Sequence, residues 1–227
     1  MPTEARRAEP ELRRWFAIVA TAVTFQLFYA LAAPGMPLAP LVAYLISYGM
    51  VVGFVLATCV AAPALEGRRA WGLLLPAGIL LILALFKVRA DNVGLAALVL
   101  VAVLLGCSAL GGLIGGKVEK AGYLLVVAII SASVDAFSVL APEGVTAQVV
   151  EDEALLSVLA ISWPMAGFLE LFPVLGMGDV TITALYFVAA RRHGLSVWRG
   201  LIAFGIAYIV VAICVLWAER ALPALPF

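Results

Sequence analysis

The sequence predicts an all-α fold, a polytopic transmembrane bundle of about seven helices. Three observations predict it. Hydrophobic residues fill 65% of the 227 positions and charged residues only 12%. The mean hydropathy of +1.15 lies far above that of a soluble domain. Apolar runs of spanning length recur along the chain, separated by short breaks rich in Gly, Pro and Arg.

At 1.5 Å of rise per residue, a helix needs roughly 20 apolar residues to cross about 30 Å of hydrocarbon. Seven segments meet that test: residues 15–33, 40–62, 70–86, 93–114, 121–141, 167–190 and 196–218. The first follows Arg13-Arg14 and ends in small residues, as a signal peptide does. Its length exceeds the usual core of about 7–15 residues, and Pro34 follows directly, so it reads as an anchor. Pro34-Gly35-Met36-Pro37 separates the first run from the second, and Glu66-Gly67-Arg68-Arg69 the second from the third. Residues 87–92 and 115–120 bound the fourth, and Arg191-Arg192-His193-Gly194 closes the sixth. Between the fifth and sixth runs, residues 142–153 are polar and acidic, and 154–165 are apolar but too short to span. That stretch predicts an interfacial or re-entrant helix, with Glu151, Asp152 and Glu153 complementing its N-terminal amides. The whole chain reads as one membrane domain: a cytoplasmic segment (1–14), a four-span half (15–120) and a second half (121–227) carrying the chemistry.

Charge sets the orientation and excludes some partners. Lys plus Arg and Asp plus Glu number 14 each, and no basic cluster interleaves with aromatics, which excludes a nucleic-acid partner. A cytoplasmic N-terminus collects Arg6, Arg7, Arg13, Arg14, Arg68, Arg69, Lys117, Lys120, Arg191, Arg192 and Arg199 on the inner side. Only Lys87, Arg89 and Arg220 then lie outside, which is the positive-inside pattern. Cys59, Cys107 and Cys214 fall in apolar runs without paired spacing and read as small packing residues. His193, the sole histidine, reads as a solvated loop residue with no partners for a metal. Trp15, Trp71, Trp198 and Trp217 stand near span ends, as interfacial anchors do. The small-residue run 106–116 contains no Gly-Lys-Ser/Thr and reads as helix packing.

Two aspartates stand out because an ionisable group in hydrocarbon is costly and marks function. Asp135 is the only charge in residues 124–140, and Asp179 ends the motif Gly176-Met177-Gly178-Asp179. If both runs are helical, Asp135 is roughly 9 Å deep and Asp179 roughly 14–18 Å, on consecutive antiparallel spans. Two carboxylates sharing a low-dielectric site hold one proton between them. The ionised member can then take a proton from water attacking a peptide carbonyl, while the protonated one hydrogen-bonds the carbonyl oxygen. Gly176 and Gly178 allow close approach and a departure from helical geometry beside Asp179. The terminal Pro223-Ala224-Leu225-Pro226 cannot continue a helix and leaves extended backbone, able to pair with an unwound substrate.

Through Val134-Asp135-Ala136-Phe137-Ser138-Val139, Leu175-Gly176-Met177-Gly178-Asp179 and Ala221-Leu222-Pro223-Ala224-Leu225-Pro226, residues 123–227 resemble the presenilin and signal peptide peptidase family, in a short prokaryotic-type form. The resemblance implies a presenilin-like core and an intramembrane aspartyl protease with Asp135 and Asp179 as the catalytic pair. Gly176, Gly178, Pro223, Ala224 and Leu225 would place the substrate, a single-span transmembrane segment or signal peptide in the lipid bilayer. No metal or organic cofactor is implied, and a homo-oligomer is compatible with it. An outward-running first catalytic helix matches the signal peptide peptidase arrangement. The chain departs from the family at Val134, where a Tyr is usual, in its seven rather than nine spans, and in having no helix after the Pro-Ala-Leu motif.

Gly176-Met177-Gly178-Asp179-Val180 is also close to a prepilin peptidase motif, although Thr181 stands where that family carries Lys and no four-Cys cluster is present. A proton-coupled transporter or an inactive relative would use the same carboxylates, but a transporter's repeated halves around broken helices are not found. The orientation is testable with a tag on Phe227: it should be reached by impermeant reagents from outside the cell, and access only from the cytoplasm reverses the assignment.

Overall fold

The computed structural model describes residues 2–65, 68–87, 93–140 and 153–218. It is mostly helical. In chain order come α1 (Pro2–Ala32), a single 3-10 turn (Ala33–Gly35), α2 (Pro40–Ala61), α3 (Arg68–Lys87), α4 (Val93–Gly115) and α5 (Tyr123–Leu140). A short α6 (Glu153–Leu159) leads into strands β1 (Ala160–Pro164) and β2 (Leu171–Gly176), followed by α7 (Met177–Arg192) and α8 (Val197–Ala218). Among the described residues, three stretches are long and apolar enough to cross a membrane: Glu11–Gly35, Pro40–Ala61 and Val93–Gly115. Trp71–Ala84 and Val197–Ile213 are shorter apolar helices.

The helix boundaries follow the local chemistry. Pro40 opens α2 at a first-turn position where its missing N–H leaves no bond unmade. The Pro34 to Pro37 break is short enough to fold α2 back against α1. At the centre lies α4, buried along most of its length and packed mainly against α7 and α3, with α1 and β1 also touching it.

Glycine explains how close α4 comes to its neighbours. A Cβ at Gly115 would lie 2.5 Å from the Leu185 carbonyl oxygen of α7, and one at Gly112 would lie 2.5 Å from that of Pro63. One at Gly111 would collide with the Thr181 carbonyl oxygen, and one at Gly106 would come within 2.8 Å of Ala77 Cβ on α3. Because Gly111 meets Thr181 and Gly115 meets Leu185, α4 and α7 run in the same direction. The run 106–116 is therefore a packing surface on three sides.

The region between α5 and α7 departs from the sequence reading. Residues 154–165 form only the short α6 before the chain extends into β1, and the sixth apolar run is not one helix from 167 to 190. β1 and β2 pair antiparallel, Ile161 opposite Leu175 and Ser162 opposite Pro173, leaving Val174 as a bulge in β2. Gly167 turns the hairpin at φ +82° and donates its N–H to Ala33 O at 2.7 Å, pinning the turn to the α1–α2 connection. Apolar content alone does not separate a buried strand from a helix, and Pro164, Gly167 and Pro173 all disfavour helix here.

Two smaller expectations also change. Trp15 is fully buried rather than an exposed anchor, whereas Trp71 and Trp198 are exposed. His193 is half-buried, with Nε2 2.9 Å from Val118 O, so it ties the α4–α5 turn to the end of α7. Cys59 and Cys107 are buried.

The glycine contacts generate a stability prediction. Gly115→Val should destabilise the folded protein by about 1–3 kcal/mol or more through overpacking. Gly53→Ala, where a Cβ meets nothing within 4 Å, should be neutral or stabilising. Thermal unfolding of both variants in one detergent compares them, and equal midpoints would contradict the packing role.

Candidate functional site

Asp179 is set by a change of backbone geometry. β2 ends at Gly176, whose extended conformation (φ −74°, ψ 153°) caps α7, so Asp179 stands in the first turn of the helix. Free amides and the helix dipole favour negative charge at that position. Asp179 Oδ2 lies 3.5 Å from where a Gly176 Cβ would be, and Gly178 meets nothing within 4 Å. The two glycines thus differ in role: Gly176 leaves room for the carboxylate to fold toward the helix start, and Gly178 keeps its approach open. Both Gly178 and Asp179 are exposed.

The far side of this turn is held firmly. Val180 is fully buried, and its carbonyl accepts a bond from Cys59 Sγ at 3.5 Å. Thr183, one turn beyond Asp179, has Oγ1 2.8 Å from Tyr208 Oη on α8. Tyr48 Oη of α2 donates to Tyr208 O at 3.0 Å. The Asp179 carboxylate is within electrostatic reach of Tyr48 and Tyr208. At the other end of α7, Arg191 donates to Val60 O and Ala62 O, closing the end of α2. Burial there lowers the guanidinium pKa, and the Glu11 carboxylate opposes that shift.

Asp135 lies in α5, with its side chain outside the described residues. α5 meets α7 at its own start: Tyr186 Oη donates to Leu124 O at 2.7 Å, and Leu124 and Val127 pack with Leu185, Tyr186 and Ala189. Counted from the Leu124–Tyr186 contact, the helical rise puts position 135 about 16 Å along α5 and Asp179 about 10 Å back along α7, both on the same side of that contact. Leu124, Val127, Ala128 and Ser131 are less exposed than their neighbours and form one stripe of α5. Pro223, Ala224 and Leu225 lie outside the described residues. Because residues 171–176 form β2 rather than helix, the depth of roughly 14–18 Å expected for Asp179 from a helix beginning at Gly167 does not hold.

The hairpin places extended backbone directly before Asp179. β1 is buried along its length, and its outward carbonyls are capped by side chains. Gln26 Nε2 of α1 donates to Ser162 O at 2.8 Å, and Ser47 Oγ of α2 donates to Pro164 O at 3.1 Å. These carbonyls are two residues apart and share one edge, while Pro164 removes an N–H that would need a partner there. Trp163 packs against both Phe25 and Phe54, with ring centroids 6.4 and 5.9 Å away, and those two rings also touch each other at 5.6 Å. Among the described residues no third strand pairs with β2.

Sequence reasoning did not find Gln26, Ser47, Tyr48, Thr183 or Tyr208. Their signal was present but weak, as polar groups inside apolar runs, and only their partners distinguish them from ordinary residues. Among the described residues, no group of three His, Cys, Asp or Glu side chains could hold a metal. No protein-family model, curated protein or solved structure matches the chain.

Capping of the β1 edge is testable. Gln26→Leu leaves Ser162 O buried and unpaired and should destabilise the protein by about 1–3 kcal/mol. Thermal unfolding measures this, and an unchanged midpoint would show that the bond contributes nothing.

Proposed function

We propose that this chain is an intramembrane aspartyl protease, in which Asp135 and Asp179 activate water to hydrolyse a peptide bond of a transmembrane segment. What supports the reading is that both aspartates lie on the same side of the α5–α7 contact, about 16 and 10 Å from it, with extended chain leading into Asp179. In this reading the bundle is a presenilin-like core of seven spans in a multi-pass membrane protein with a cytoplasmic N-terminus. Its substrates are single-span segments or signal peptides.

The chemistry follows from the pair. The ionised carboxylate removes a proton as water attacks the scissile carbonyl carbon, while the protonated one hydrogen-bonds the carbonyl oxygen. Proton transfer to the amide nitrogen then allows the C–N bond to break and leaves the pair with one shared proton. A helical substrate must first unwind, and the outer edge of β2 offers backbone groups with which an extended segment can pair. Such a segment would lie beside the first turn of α7. Gly176 and Gly178 leave space there, and the Pro223 to Leu225 segment would complete the substrate's surroundings.

The test is reconstitution of wild type, Asp135→Ala and Asp179→Ala into vesicles with a single-span reporter. Wild type should cleave it, and each variant should lose at least about 10³-fold in rate, as expected when an acid–base pair acting as a unit is broken. Cleavage surviving in either variant removes the dyad. An inert wild type shifts the reading to a transporter or an inactive relative.

A further inference from the structure

We propose that Tyr208 is a positioning residue for Asp179, acting through Thr183 and braced by Tyr48; the inference rests on the proteolytic reading of the site. Thr183 follows Asp179 by four residues, so both stand on nearly the same face of α7, one turn apart. Thr183 is 1% exposed and Tyr208 8%, and their hydroxyls lie 2.8 Å apart. The main chain of Tyr208 is itself held, because its carbonyl accepts the Tyr48 hydroxyl at 3.0 Å. Three helices, α2, α7 and α8, are thereby joined by hydroxyl groups one turn from Asp179.

Packing alone does not call for these hydroxyls. The Tyr208 ring already stacks in a row with Phe204 and, beyond it, Phe187, at centroid distances of 6.5 and 5.5 Å. A Phe and a Val of the same shapes would fill the space without burying polar atoms, and replacing both partners of a buried bond in this way is nearly neutral for stability. The bond provides direction instead. It adds a directional restraint to the α4 contact that seats α7, and the rotation of α7 about its axis decides where the Asp179 carboxylate points. Gly178 and Asp179 lie in the exposed first turn of α7, and the hydroxyl bridge restrains the buried turn that follows on nearly the same face.

The experiment measures cleavage of the single-span reporter by full-length protein in vesicles, normalised to the folded fraction. The variants are Tyr208→Phe, Thr183→Val, Thr183→Ser and Tyr208→Phe/Thr183→Val, beside wild type and Asp179→Ala. Because a misplacement of about an ångström costs up to about 10²-fold in rate, Tyr208→Phe and Thr183→Val should each lower kcat by about 10-fold or more with KM unchanged. The double variant should fall no further than either single one, and Thr183→Ser should restore the rate. Wild-type kcat in Tyr208→Phe, additive losses in the double variant, or failure of Thr183→Ser to recover overturns the positioning role while leaving the protease reading intact. If Tyr208→Phe does not fold, the Thr183→Val and Thr183→Ser pair decides by the same criterion. An inactive wild type, or an active Asp179→Ala, overturns the protease reading and the positioning role with it.

Discussion

The contact between α4 and α7 is the constraint on which the rest of the structure depends. Gly111 and Gly115 bring the two backbones together so closely that a single methyl group would meet a carbonyl oxygen of α7. In an apolar environment there is little hydrophobic force between helices, and association relies on van der Waals contact, which small residues maximise. Once α7 is seated this way, its far end reaches α2 through Arg191 and the α4–α5 turn through His193. The start of α5 then packs on Leu185, Tyr186 and Ala189. The position of Asp179 is therefore inherited from glycines on a different helix.

A strand pair inside a helical bundle raises the opposite problem, since extended backbone does not satisfy its own hydrogen bonds. The chain meets it locally. Gln26 and Ser47 cap two outward carbonyls of β1, Pro164 removes a donor, and the Gly167 amide is taken by Ala33 O. With one edge closed by side chains, β2 is left as the strand whose outer edge has no partner strand among the described residues. Structure and chemistry meet at Gly176, where that strand becomes the helix that carries Asp179.

Much of the helical framework was legible from the sequence. The boundaries of α2, α3 and α4 fall within a few residues of those read from hydropathy, because Pro, Gly and charged residues interrupt apolar runs for the same reasons that they end helices. Asp179 stood out as a charge in an apolar run, and its glycine neighbours signalled a break in the helix. The hairpin was not legible, because residues 154–176 are apolar throughout much of their length and a buried strand has no distinctive period. Trp15 and His193 were misplaced for a related reason: proximity to a span end does not say whether a helix neighbour covers the residue.

The sequence by itself determined a mostly helical, apolar fold and the bounds of several of its helices, and it singled out two carboxylates within apolar runs. Hydropathy, backbone propensity and the cost of a charge in an apolar setting are properties of residues and their near neighbours, so they can be read along one dimension. Only the tertiary structure decided that part of the sixth apolar run pairs as a strand, that α4 and α7 lie backbone to backbone, and that Tyr48, Thr183 and Tyr208 meet beside Asp179. These outcomes depend on partners from 7 residues away, Pro164 with Leu171 in the hairpin, to 160 away, Tyr48 with Tyr208, and a hydrogen bond or close packing contact forms only when the fold delivers both sides.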